Sequence, residues 1–252
     1  MRHAPLRAGA ALALLLASTI AFASAPVPVV MGPSREGSLE ELQAKVDHFL
    51  GPGRVNVRTD FLGAHPGDPD PWFWVNNGAR VISLTLIDRK SPHGEIGWYK
   101  ETGSRPVIDG VDDGVVLEDL HPRGRSTVVH MPASVSRYGF YVVHQGGDEK
   151  ADEGHSTIFF TNRLFNDVGP YGRGGEHEPY DGDVQMLIFD VSRWLGADTW
   201  LVACEYSDSG SPVGQNDGQS DNDFSDILYT VTGLGATPIH ATSFGRLKAL
   251  YR

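Results

Sequence analysis

The sequence predicts an all-β domain, an antiparallel, jelly-roll-like β-sandwich with one short N-terminal helix. Three observations predict it. Eight or more apolar runs of strand length either alternate between two faces or read as fully buried segments. The 30 glycines and 16 prolines fall mostly between those runs, where turns are needed. Nothing alternates with helices in the βαβ manner, and the spacings suit antiparallel connections, which argues against a doubly wound fold.

Residues 1–25 read as a secretory signal peptide. Arg2 and Arg7 precede the apolar run from Ala10 to Ala17, and the small residues Ala23-Ser24-Ala25 follow, with cleavage expected after Ala25. That run is short for a membrane span, and no later segment is apolar enough to cross a bilayer. Residues 26–37 read as a flexible leader, 38–235 as the sandwich and 236–252 as a C-terminal tail. Ser38-Leu39-Glu40-Glu41 forms a capping box ahead of Leu42, Val46, Phe49 and Leu50 at helical spacing, and Gly51-Pro52-Gly53 stops the helix. Val55 to Phe61 alternates as a strand would. Gly63 to Pro71 reads as a loop, and Trp72-Phe73-Trp74 begins the next element. In Arg80 to Ile87, Ile82, Leu84 and Leu86 share one face, so a strand with at least one buried face is expected. Further strands are expected at Glu95 to Lys100, Ser126 to Met131, Tyr138 to His144, Thr157 to Thr161, Val184 to Asp190, Thr199 to Glu205 and Ile227 to Thr232. The Gly- and Pro-rich stretch from Asn166 to Asp183 is long for a loop in a compact domain.

Charge narrows the partners. The formal net charge is −11, and loss of the signal peptide, which carries two basic groups and no acid, makes it −13. Such a chain repels phosphate backbones and attracts divalent cations, so nucleic acid is not an expected partner. Cys204 is the single cysteine and lies in the apolar run Trp200 to Glu205, so it reads as a small buried hydrophobe; no internal disulfide is possible. An exported protein without disulfides draws stability from elsewhere, and bound calcium is one source.

The run from Asp217 to Asp226 is where that cation is expected. Asp217, Asp221, Asp223 and Asp226 put four carboxylates into ten residues, a density tolerated only with screening by water or neutralisation by a metal. Hard oxygen donors point to calcium rather than zinc or copper. The run is not an EF-hand, because the expected glycine is missing and Leu228 stands where a glutamate would close the loop. Glu205 and Asp208, which end the preceding strand, are the expected additional donors. A second polar cluster, Glu176-His177-Glu178 with Asp181 and Asp183, lacks zinc-protease spacing, although the two aspartates are candidates for the same calcium site. No serine sits in a G-x-S-x-G elbow. Trp72, Trp74, Trp98, Tyr99, Tyr171 and Tyr180 are candidates for a sugar platform, with core packing the commoner fate of tryptophans in strand-like runs. The basic tail from Phe244 to Arg252 reads as a docked or frayed end.

Ser220-Asp221-Asn222-Asp223-Phe224-Ser225-Asp226-Ile227-Leu228 resembles the D-x-D-[YF]-N-D-[hydrophobic] signature of the domain-of-unknown-function 4114 family, with Ser225 in place of the usual asparagine. Glu95-Ile96-Gly97-Trp98-Tyr99 is similar to that family's f-G-i-Y strand, and Tyr138-Gly139-Phe140-Tyr141 to its g-F-Y strand. Gln185 stands where the family has a strand histidine, and Glu205-Tyr206 where it has an acidic pair. The resemblance implies a calcium-binding β-sandwich of exported bacterial proteins, associated with adhesion, cell surfaces or matrices.

These readings converge on a secreted or cell-surface, non-catalytic, calcium-binding β-sandwich module for adhesion or extracellular ligand binding, with a glycan or a surface or matrix protein as partner. The alternative is an extracellular carbohydrate-active hydrolase using paired carboxylates, whose separation is a property of the fold.

Overall fold

The computed structural model describes residues 39–64, 73–76, 81–90, 94–118, 120, 122–143, 158–166, 184–205 and 223–233. Helix α1 spans Leu39–Leu50. Its inward stripe is Leu39, Leu42, Val46 and Leu50, all buried, and Glu40 and Glu41 lie in the first turn, where the helix dipole favours negative charge. Each such buried side chain contributes about 1.5–3 kcal/mol relative to exposure. Gly51, at φ +101°, ends the helix by donating its N–H to Asp47 O at 2.9 Å.

The described strands are β1 (Trp74–Val75), β2 (Val81–Arg89), β3 (Glu95–Lys100), β4 (Asp113–Glu118), β5 (Ser126–His130), β6 (Arg137–Val143), β7 (Ile158–Phe160), β8 (Met186–Asp190), β9 (Thr199–Cys204) and β10 (Ile227–Gly233). A 3-10 turn covers Arg163–Phe165, and a one-turn helix α2 covers Ser192–Leu195. One sheet runs β5-β2-β10-β9-β8. The other runs β1-β6-β3-β4, with β7 also paired to β6. Every pairing is antiparallel, so the chain forms the expected all-β sandwich. Among the described residues no helix is long and apolar enough to cross a membrane.

Three apolar layers hold the fold. Between the sheets, Ile82, Leu84 and Leu86 of β2 and Trp200, Val202 and Cys204 of β9 meet Trp98, Phe140 and Val142. On the outer face of the β2-containing sheet, Leu42 and Val46 of α1 cover Leu187, Phe189, Leu201, Ala203 and Leu228. Burial on both faces explains why β8 and β9 read as unbroken apolar runs in the sequence. On the outer face of the other sheet, Tyr99, Tyr141, Phe160 and Phe165 form a smaller aromatic cluster.

Apart from the short helical turns at Arg163–Phe165 and Ser192–Leu195, which the sequence reading did not anticipate, two segments differ from it. Val55 to Phe61 is not a strand but a series of turns packed on α1, although Val55, Val57 and Phe61 are buried as alternation predicts. Asn56 O accepts from Thr59 N–H and Asp60 N–H, and the Asp60 and Asn56 side chains accept from Asn56 N–H and Arg58 N–H. The Gln43 side chain supplies the bonds a neighbouring strand would have made, donating to Val55 O at 2.8 Å and accepting from Val57 N–H at 3.0 Å. Strand β4 is the second difference, because Gly114 and the acids at both ends hide Val115-Val116-Leu117 as a strand. That glycine is needed where it stands: a Cβ there would lie 2.7 Å from the Trp98 indole nitrogen.

Candidate cation-binding site

The described end of the acidic run, Asp223 to Asp226, enters β10 beside the end of β9. Asp226 N–H donates to Cys204 O at 3.1 Å, which places Glu205 next to Asp226 across the strand pair. Glu205, Asp223 and Asp226 are all buried. Asp223 turns the chain by accepting from Ser225 N–H at 2.7 Å and from Ser225 Oγ at 3.0 Å. Phe224 between them adopts φ +53°, a left-handed conformation costly for an aromatic residue. Its ring is buried against the helix-side cluster and its N–H points to Glu205 Oε2 at 3.4 Å, which together hold the strained turn.

Lys90, just past β2, reaches two of these carboxylates, and Lys45 of α1 reaches the backbone between them. Lys90 Nζ lies 2.8 Å from Asp223 Oδ2 and 3.2 Å from Asp226 Oδ1, and Lys90 N–H donates to Asp226 O at 2.7 Å. Lys45 Nζ lies 2.8 Å from Glu41 and 3.3 Å from Asp88, and donates to Ser225 O at 2.7 Å. Arg123 Nε approaches Asp88 Oδ1 at 2.6 Å, an ion contact whose angle is poor for a hydrogen bond.

A bulge in β2 makes this arrangement possible. Leu228 pairs with Asp88 but Tyr229 pairs with Leu86, so Ile87 is an extra residue in the ladder. Strict alternation from Ile82, Leu84 and Leu86 would send Asp88 and Lys90 into the inter-sheet core. Ile87 keeps the helix side that alternation gives it, and the bulge reverses the face from Asp88 onward, so Asp88 and Lys90 meet Lys45 and the two aspartates.

Burial opposes the charge on Lys90, but the Asp223 hydrogen bond and the Asp226 charge outweigh it and raise its pKa. Burial likewise opposes ionisation of Asp223, and Lys90 and Ser225 overcome it, holding the carboxyl below the usual range. A lowered Asp223 pKa makes its contribution complete above the unfolded aspartate value of about 3.9 and lost as pH falls through the lower folded value. A raised Lys90 pKa makes its contribution complete below the unfolded lysine value of about 10.4 and lost only as pH rises through the higher folded value. The stability difference between the parent and Asp223→Asn is therefore expected to be flat from about pH 5 to 9 and to close below about pH 4. Denaturation midpoints across that range check it; a gap that persists at pH 2 counts against the pairing.

Cys204, buried in the inter-sheet core, has its thiol pushed well up by burial, with the Asp226 and Glu205 charges adding to the shift, so it behaves as the hydrophobe its context suggests. Trp74, Trp98 and Tyr99 are also core residues and present no exposed sugar platform.

Of the expected metal ligands, Asp223 and Asp226 share Lys90 and Glu205 follows β9 beside Asp226, whereas Asp217, Asp221 and Asp208 lie outside the described residues. So do Asp181, Asp183, Glu176-His177-Glu178, Trp72, Tyr171, Tyr180, the leader and the basic tail. Among the described residues no three His, Cys, Asp or Glu side chains are grouped to hold an ion. A calcium shell of about six to eight oxygens at about 2.3–2.6 Å would thus draw on the adjoining run. The donors present are hard oxygens, which suit calcium. Sequence reasoning missed Lys90, Lys45 and Asp88: Lys90 stands 133 positions from Asp223, and only the bulge brings the two together. No family model, curated protein or solved structure matches this chain.

Proposed function

We propose that this chain is a secreted or cell-surface, non-catalytic β-sandwich module that takes calcium on the loop ending at Asp226 and presents the ordered loop to a glycan or to a surface or matrix protein. The observation that carries the reading is the burial of three carboxylates, Glu205, Asp223 and Asp226, at the adjoining ends of β9 and β10, to which the rest of an acidic run is joined in sequence. The resemblance of Asp221 to Leu228 to a calcium-associated signature supports it. Asp221 and Asp217 are the nearest further donors in the run, and Asp208 is the next. Calcium bound there would neutralise carboxylates that otherwise repel one another and would tie the loop to the sheet.

Thermal unfolding of residues 26–252 in chelator, then across a calcium titration with magnesium as control, tests the proposal. At calcium a hundred times its dissociation constant the gain is about 2.7 kcal/mol, which is a rise of about 5–10 °C for a domain of this size. No rise, or an equal rise with magnesium, defeats it.

A second reading has its own support in the 2.8 and 3.2 Å contacts of Lys90: the ammonium is the built-in cation, and the loop is held without metal.

A further inference from the structure

A small pocket lies at the β8 edge of the sandwich, where Leu62 N–H donates to Ile188 O and the Thr161–Arg163 stretch following β7 comes close. Its volume is about 20 Å³, and Phe61, Leu187, Thr161, Arg163 and Gln185 are among its lining residues. Gln185 has no exposed surface, and neither its Oε1 nor its Nε2 has a hydrogen-bond partner, although its backbone carbonyl accepts from Glu205 N–H at 3.0 Å. An unpaired buried polar group costs about 1–3 kcal/mol, and natural proteins rarely leave one so. A space above about 10–15 Å³ with polar walls holds a water-sized group.

The unpaired carboxamide narrows the chemistry of what fills that space. An apolar guest would leave both amide atoms unpaired. A carboxylate or other anion accepts from Nε2 but has no proton for Oε1, and a metal ion satisfies Oε1 but not Nε2. A hydroxyl both donates and accepts. We propose that the pocket is a binding site for a hydroxyl oxygen, which donates to Gln185 Oε1 and accepts from Gln185 Nε2. A hydroxyl of a sugar or polyol has this chemistry, and so does a water; the sugar source rests on the domain being a ligand-binding module, the water source does not. Arg163 and Thr161 add polarity to a lining otherwise made by Phe61, Leu62, Val184, Met186 and Leu187.

Gln185→Met keeps the length of the side chain and removes both polar ends. The probes are a panel of methyl glycosides and glycerol, read by saturation-transfer NMR on the chain without its first 25 residues, together with thermal melts. Saturable glycoside binding that weakens at least tenfold in Gln185→Met identifies the sugar source. No glycoside binding with a melt lowered by about 3–6 °C in the variant identifies water as the guest. A variant that melts higher than the parent, or glycoside binding indifferent to the substitution, overturns the proposal. If Gln185→Met does not fold, Val184→Phe fills the pocket from its wall and leaves the amide: lost glycoside binding or a lower melt supports the site, and an unchanged protein overturns it. The calcium response is read separately in the same melts, so loss of one reading leaves the other standing.

Discussion

Replacing Lys90 with methionine is expected to lower stability in chelator by about 2 kcal/mol, and calcium should then restore more to the variant than it adds to the parent. Methionine preserves the apolar stem of the lysine and deletes only the ammonium. Removing one partner of a buried ion pair costs about 3–5 kcal/mol because the other charge is left uncompensated. The Lys90 side chain is 36% exposed while Asp223 is 9% and Asp226 10%, so solvent softens the loss and the lower figure is appropriate. What remains is Asp223, Asp226 and Glu205, three buried carboxylates whose charge a bound divalent ion would offset. If calcium binds beside Lys90, both proteins respond and the variant responds more. If Lys90 is the cation that closes the cluster, the parent melt does not move with calcium and the metal-free reading stands. A variant as stable as the parent in chelator would show that the 2.8 Å contact to Asp223 contributes nothing. Denaturant midpoints in chelator, calcium and magnesium distinguish all three results.

The sequence reading succeeds where the local pattern and the tertiary environment agree. The period of Leu42, Val46 and Leu50 marks α1, and the apolar runs of β2, β3, β6, β8, β9 and β10 mark strands that pack on one face or both. It errs at Val55 to Phe61 because burial at alternate positions is also what a turn-rich segment shows when it lies over a helix; Asn56 and Asp60 are the residues that decide for turns. At the candidate site the acidic half was legible, since Asp223 and Asp226 crowd together in the chain and Glu205 ends the strand before them. The basic half was not. Pairing of β10 with β2 is non-local, and the single extra residue Ile87 decides whether Asp88 and Lys90 face the core or the aspartates. No periodicity in Arg80 to Ile87 announces that bulge. Trp98 and Tyr99 failed as a platform for a related reason: in Gly97-Trp98-Tyr99 and Gly139-Phe140-Tyr141 the glycines are complements to rings on the facing strand, a relation visible only once the register is known.

That register yields the other large expected effect: Gly97→Ala and Gly139→Ala should each destabilise the fold by about 3 kcal/mol or more. Gly97 stands opposite Tyr141, and Gly139 opposite Tyr99, so β3 and β6 exchange two glycine–tyrosine pairs. A Cβ on Gly97 would lie 2.1 Å from Tyr141 Cζ, and one on Gly139 would lie 2.4 Å from Tyr99 Cζ and 2.7 Å from Thr161 Oγ1. Neither ring has a cheap way out. Tyr99 and Tyr141 are fully buried, Tyr99 packs edge-on to Phe160 with centroids 5.2 Å apart, and Tyr99 OH accepts from Asn162 N–H at 3.3 Å. Tyr141 OH donates to Glu95 Oε1 at 3.2 Å. Swinging either ring outward gives up most of what that side chain buries, and the loss of a whole aromatic side chain costs about 3–5 kcal/mol. The sign is the decisive part, because alanine normally improves on glycine inside regular structure by about 0.5–1 kcal/mol. A neutral or stabilising Gly97→Ala in urea denaturation would show that Tyr141 does not lie over Gly97. Combining Gly97→Ala with Tyr141→Ala removes the ring that the new methyl meets, so the double variant should be less destabilised than the sum of the singles by about 1–3 kcal/mol. Additive losses would locate the cost in the strand backbone instead of in the ring.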